Sequence, residues 1–234
     1  DHAEEEQRAY GLHRAALEAV RTTFEDAQKA RRFDVNMIDG VIKLLVNAAM
    51  DKVEILNRLT AIKNIDQYTF YHSVNVAMLS LLIGIRLKFP VALLNRLGTA
   101  AMLHDVGKTC VPEDIIKKPG GLNDEEWRIM QSHPVEGAKI LAGQSQLDPL
   151  SLIVAAQHHV RYDMSGYPAG DGTPSQHLMS GIVAVADTYD ALTSNRAYRK
   201  AMLPDHAMQL VIDGGGTHFH PEIVKVFANL TGLF

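Results

Sequence analysis

The sequence contains a single cysteine, Cys110, and no long uninterrupted apolar run. One thiol excludes an internal disulfide framework and any thiolate-rich zinc or iron–sulfur site, which suits a reducing compartment. The most apolar stretch, Val74 to Leu87, is broken by Ser80 and Gly84 and is too short to cross a bilayer comfortably. It reads as a buried core helix, with no direct membrane insertion of this fragment. A large excess of charge is also missing: 23 Lys+Arg against 27 Asp+Glu leave a net charge of -4. Such a balance disfavours DNA as a partner, and a small anionic ligand then needs a local positive site such as metal ions. The acidic N-terminus (Glu4, Glu5, Glu6) carries no secretory signal, so a cytoplasmic location is expected. Opening on Asp1, the chain reads as part of a longer regulatory or membrane-anchored protein.

What is present is a chain of 234 residues, 47% hydrophobic, with 11 histidines. That length and apolar content can bury a sizeable core. From Tyr10 to about Lys29 and from Val35 to Leu59, apolar residues recur every three or four positions (Ile38, Val41, Ile42, Leu45, Ala49, Val53, Leu56), the pattern of amphipathic helices. Residues 1–62 carry no cluster of chemistry and read as a helical connector or dimer-forming arm; residues 63–234 form the second region. Beyond Ile65, polar breaks fall at 88–91, 111–124, 144–149, 163–174 and 203–205, and helical patterns fill the intervals. Asp124 is the expected cap of a helix starting at Glu125, and Pro134 is expected to keep His133 out of a helix. Alternating strand patterns are scarce. The expected fold is all-α.

The histidines and aspartates matter by their order. His72 lies in the first turn of a helix running from about Thr69 to Leu87, and alone would pass for a satisfied or exposed histidine. His104-Asp105 ends an apolar helix, with Gly107-Lys108 directly after it. His133 precedes a proline, the doublet His158-His159 ends another apolar helix, and Asp187 stands in an otherwise apolar segment. Buried imidazoles and carboxylates at helix ends need partners, and a shared metal is an efficient one. Ligation without thiolate suits octahedral first-row metals such as Fe, Mn, Ni or Co, with Zn open. So many ligands exceed the needs of one ion, and two metals a few Å apart are common apparatus for phosphodiester hydrolysis.

The order His72, His104-Asp105, Asp187 resembles the HD metal-dependent phosphohydrolase superfamily. HDVGK (104–108), SHP (132–134), HHVRYDMSGYP (158–168) and ADTYDALTSNRAYRKA (186–201) resemble its HD-GYP subfamily. The resemblance covers residues from about 66 to 230. It implies a helical-bundle phosphodiesterase that hydrolyses cyclic di-GMP to linear pGpG, with GMP the product of any second cut, or takes 3′,3′-cyclic GMP-AMP, through a hydroxide activated by two metals, Fe or Mn foremost. It implies His72, His104 and Asp187 on one metal, His133, His158 and His159 on the second, and Asp105 as the bridge. Lys108 would reach the scissile phosphate or the hydroxide. Tyr167 and Pro168 of the signature loop, with Arg196 and Arg199, would meet the substrate. Asp190, one helical turn after Asp187, would orient a ligand or Lys108. Partners implied are the cyclic dinucleotide, an upstream sensor domain or GGDEF-type partner, and a second copy through the N-terminal helices.

Three departures bear on that reading. Tyr68 stands where some relatives carry a Glu that supports a third metal, so two metals are expected, with Asp66 nearby. Val160 replaces a glutamate, and Met164 removes a permissive glycine from the signature loop. The metal set survives these changes, while substrate preference is less constrained. His218 and His220 are expected to be structural, with His220 capping the last helix. A non-catalytic cyclic-dinucleotide sensor, or an HD hydrolase of other nucleotides, is the rival reading.

Overall fold

A computed structural model describes residues 2–51, 56, 68–168, 175–195 and 200–230. Eleven α-helices occur among them: α1 (His2–Ala30), α2 (Val35–Asp51), α3 (Tyr68–Arg86), α4 (Val91–Leu103), α5 (Glu113–Ile116), α6 (Asp124–Met130), α7 (His133–Ala142), α8 (Pro149–Gln157), α9 (Leu178–Thr193), α10 (Pro204–Asp213) and α11 (Pro221–Ala228). A 3-10 turn, Val106–Cys110, follows α4. The fold is all-α. No helix among the described residues is long and apolar enough to cross a membrane.

Periodicity decides what each helix buries. On α2, Ile38, Ile42, Leu45 and Ala49 form one buried stripe, whereas α3 buries apolar residues nearly all round (Val74, Val76, Met78, Leu81, Ile83), which makes it a central helix. Ala16, Val20 and Phe24 of α1 join the same hydrophobic cluster as α2, α3, α4 and α9. Val20 and Phe24, being of the larger apolar types, each contribute roughly 1.5–3 kcal/mol by burial. The first two helices therefore share the core of the helices that follow. The stretch 57–67 lies outside the described residues.

Two local expectations change. The cap of α6 is Asn123, not Asp124: Glu126 N–H donates to Asn123 Oδ1 (2.9 Å) and Asn123 N–H donates to Glu126 Oε2 (2.8 Å). A spacing of three residues closes this reciprocal box, which Asp124 cannot form with Glu126. No residue of α6 is buried, and the box and the Lys118–Glu126 ion pair (2.6 Å) help to hold this short helix. Further on, Pro134 begins α7 with His133 as its first residue, because a proline in the first turn has no N–H to leave unpaired. The break falls instead at Gln131 and Ser132. His220 caps α11 as expected, its Nδ1 accepting from Glu222 N–H (3.2 Å).

Candidate metal centre

Helix ends bring the histidines together. His72 opens the second turn of α3, His104 caps the C-terminus of α4, Asp105 opens the 3-10 turn, His133 starts α7, His158 caps α8 and Asp187 lies mid-way along α9. Their ligand atoms form overlapping groups: His72, His104 and Asp187; His133, His158 and His159; and His104, Asp105 and His158, each group's atoms within 4.8 Å of one another. Asp105 stands between the first two groups. Its Oδ2 lies 3.4 Å from His104 Nε2 and 3.7 Å from His72 Nε2, while its Oδ1 lies 3.3 Å from His133 Nε2 and 3.7 Å from His158 Nε2. Lys108 pairs with Asp105 Oδ2 from within the same turn.

The protons decide whether these residues suit a metal. His104 Nδ1 meets Ala101 O (2.7 Å), His133 Nδ1 meets Met130 O (2.7 Å) and His158 Nδ1 meets Ala155 O (2.8 Å). A carbonyl only accepts, so each Nδ1 carries a hydrogen, which leaves Nε2 as the ring atom turned inward and placed to ligate. His72 Nδ1 is held the same way by Asp190 Oδ2 (2.7 Å), and Asn75 Nδ2 donates to the other oxygen of Asp190 (2.9 Å). The outcome is clearest at His133 and His158, whose Nε2 atoms face each other at 3.1 Å. Two lone pairs at that distance repel unless a cation lies between them. Among the described residues, His104 Nε2 and Asp105 Oδ1 are also buried without a hydrogen bond of their own. Burial holds His133 below its ordinary range and His159 well below, which keeps both neutral and able to ligate.

On the other side the charges are opposite. Burial opposes a charge on His72, yet Asp187, 3.0 Å from its Nε2, and Asp190 outweigh it and raise the pKa to about 9. Burial likewise opposes ionisation of Asp105 and Asp187, but the Lys108 ammonium holds Asp105, and His72 holds Asp187, well below the usual carboxylate range. A cation on His72 Nε2 takes the place of a proton that the two carboxylates already favour. The buried His/Asp cluster fits divalent metal binding.

The signature loop covers this centre. The Tyr167 ring stacks on the His159 imidazole (centroids 4.6 Å apart, 26° between planes) and meets His133 edge-on at 6.4 Å. Gly166 permits the approach: a Cβ there would overlap the His159 carbonyl oxygen and come within 2.7 Å of Arg161 N. Val160 is buried, and its carbonyl accepts from Gln176 Nε2 (2.5 Å). Met164 adopts φ 65, the left-handed conformation in which a Cβ is crowded, at the position where the resemblance favours glycine. Met164→Gly is therefore expected to stabilise the fold by up to about 1 kcal/mol in urea unfolding, the relief at a positive φ exceeding the extra chain entropy.

Of the other residues singled out, Pro168 ends the described part of the loop. Arg196, Arg199 and Asp66 lie outside the described residues, and for Tyr68 only the backbone is described. Asn75 was not singled out from sequence. Its signal was an amide three residues after His72 within an apolar helix. The carbonyls of Ala101, Met130 and Ala155 carry no signal of their own beyond a histidine placed at a helix end.

Residues 43–223 match the HD domain family. A cyclic di-GMP phosphodiesterase of Pseudomonas aeruginosa is 33% identical over 231 residues, 99% of this chain and 56% of that protein. A 3′3′-cGAMP-specific phosphodiesterase of Vibrio cholerae is 38% identical over 155 residues, 66% of this chain and 34% of that protein. The chain thus spans little more than half of the one relative and about a third of the other. The solved structure of an HDG"Y"P protein from Bdellovibrio bacteriovorus superposes with a TM-score of 0.79 at 18% identity, covering 96% of this chain and 72% of that one, a likeness of fold.

Proposed function

The chain belongs to the HD domain family, and on that premise we propose that it is a metal-dependent phosphodiesterase that opens cyclic di-GMP to linear pGpG, with GMP the product of any second cut. The observation that carries this reading is the facing pair of Nε2 atoms on His133 and His158, 3.1 Å apart, with Asp105 between them and the second group, His72, His104 and Asp187. In this reading His133, His158 and His159 would hold one divalent ion, His72, His104 and Asp187 would hold the other, and Asp105 would serve both. Two such ions, Fe or Mn, would supply a water of lowered pKa and neutralise phosphoryl oxygens.

The chain's own groups do the rest. Lys108, partly exposed beside Asp105, offers an ammonium to the phosphate. Asp190 and Asn75 keep the His72 ring turned with Nε2 inward. Tyr167, whose phenol is pushed up by burial and by the nearby Asp187 and Asp105, stays protonated; it closes one wall of the site and can donate to substrate. Pro168, Arg196 and Arg199 are assigned to the substrate from their place in the motifs, and residues 1–62, whose first two helices pack into the shared core, to a connector or dimer-forming arm.

The test reconstitutes the protein anaerobically with Fe(II) or Mn(II), counts metal per chain, and chromatographs products from cyclic di-GMP, 3′,3′-cyclic GMP-AMP and a linear dinucleotide. Two ions per chain and pGpG from cyclic di-GMP are expected, with chelation abolishing turnover and added metal restoring it. Tight binding without turnover would replace this reading by a sensor, and three fully occupied metal sites would refute the two-ion centre. The similarity to the Vibrio cholerae protein makes 3′,3′-cyclic GMP-AMP the second substrate reading, decided by the ratio of kcat/KM for the two.

A further inference from the structure

Trp127, the only tryptophan of the chain, lies on α6 with 47% of its surface exposed. Its ring meets Tyr167 edge to face at 6.2 Å and 73°, and Tyr167 in turn stacks on His159. An edge-to-face contact engages only part of an indole, so the remainder is open to solvent beside the metal centre. The same short helix ends in Met130, whose carbonyl orients His133. Trp127 is therefore tied to the second ligand group by its neighbour ring and by its own helix. No residue of α6 is buried, so the indole is not there to fill a core.

We propose that Trp127 is a base-stacking platform: one purine of the cyclic dinucleotide lies on the indole while a phosphate reaches the His133, His158 and His159 group. This rests on the phosphodiesterase reading above. A base is separated from its phosphate by one ribose, a reach that suits a platform two ring contacts from His159. Tyr167, already stacked on His159, forms the wall between base and phosphate. Stacking is tolerant of base identity, since every base has a π-face, so the platform secures affinity for purines of either kind.

The experiment uses the Mn-reconstituted chain, with Trp127→Ala and Trp127→Phe as variants. Mixing wild type with cyclic di-GMP in a stopped-flow instrument is expected to quench the indole emission before turnover. Removing an aromatic platform weakens binding roughly 5- to 150-fold, so Trp127→Ala is expected to raise KM by that factor with kcat nearly unchanged, and Trp127→Phe to recover most of it. Metal content is expected to equal wild type in both variants. An unchanged KM for Trp127→Ala in an active enzyme overturns the platform while leaving the phosphodiesterase reading intact. So does a loss confined to kcat and metal content, which would mark a merely supporting role for α6. A wild-type protein inert toward every cyclic dinucleotide overturns both.

Discussion

Asp105→Ala is expected to lose both metal ions and to lower kcat/KM by on the order of 10³-fold or more, the cost seen when a principal charge-stabilising group is removed from an active site. The expectation follows from where the two oxygens of Asp105 lie. Oδ2 faces His104 and His72, Oδ1 faces His133 and His158, and the residue is buried. Any other single ligand belongs to one side only. Asp105→Asn keeps the shape but carries no charge and only one oxygen, so it is expected to fail nearly as badly, which separates loss of the bridge from loss of packing. Metal analysis beside product chromatography checks this, together with the rise in Tm that metal gives the wild type and should no longer give the variant. A variant that keeps two ions and turns over normally would overturn the bridging role.

Gly107→Ala should act through the backbone. A Cβ at Gly107 would overlap the carbonyl oxygen of His133 and come within 2.5 Å of Gly137 N and 2.9 Å of Gly137 Cα. All three are main-chain atoms, and no rotamer can move them aside. The 3-10 turn and α7 must part, at a cost near the upper end for overpacking, about 3 kcal/mol, which in a chain of this size lowers Tm by roughly 6–12 °C. Because His133 hangs on α7 and Asp105 on the turn, the separation should empty the His133, His158 and His159 side first and leave the other ion in place. Gly137→Ala is the control. Its Cβ would sit 3.2 Å from Gly107 N, a milder approach, and a smaller fall in Tm is expected. An unchanged Tm with full metal content in Gly107→Ala would sink this account.

Much of this architecture can be read from the order of residues. Apolar spacing from Val35 and the largely apolar stretch Val74 to Leu87 predict a helical bundle; α2 starts at Val35 and is described to Asp51, and α3 covers Tyr68–Arg86 against an expected 69–87. That His72, His104, Asp105, His133, His158, His159 and Asp187 share metal is suggested by their number at helix ends, but how they divide between two ions is visible only through the resemblance, since no local spacing brings α3 beside α9. Pattern reasoning loses ground where the deciding contact is a main-chain one. The cap at Asn123 depends on a box closed three residues later, and the carbonyls that orient His104, His133 and His158 belong to residues of no particular type. Met164 illustrates the reverse. The missing glycine is legible in the sequence, but only the structure shows the left-handed backbone that makes its absence costly.

The carbonyls that hold the three histidines have a further consequence. Those of Ala101, Met130 and Ala155 belong to the last turns of α4, α6 and α8. Peptide dipoles add along each helix to about half a negative charge at its C-terminal end, so three helix ends converge their negative poles behind the imidazoles. That field belongs to the main chain and survives any single side-chain replacement. The imidazoles and carboxylates then select among metals in a region already made attractive to cations by the direction in which three helices run.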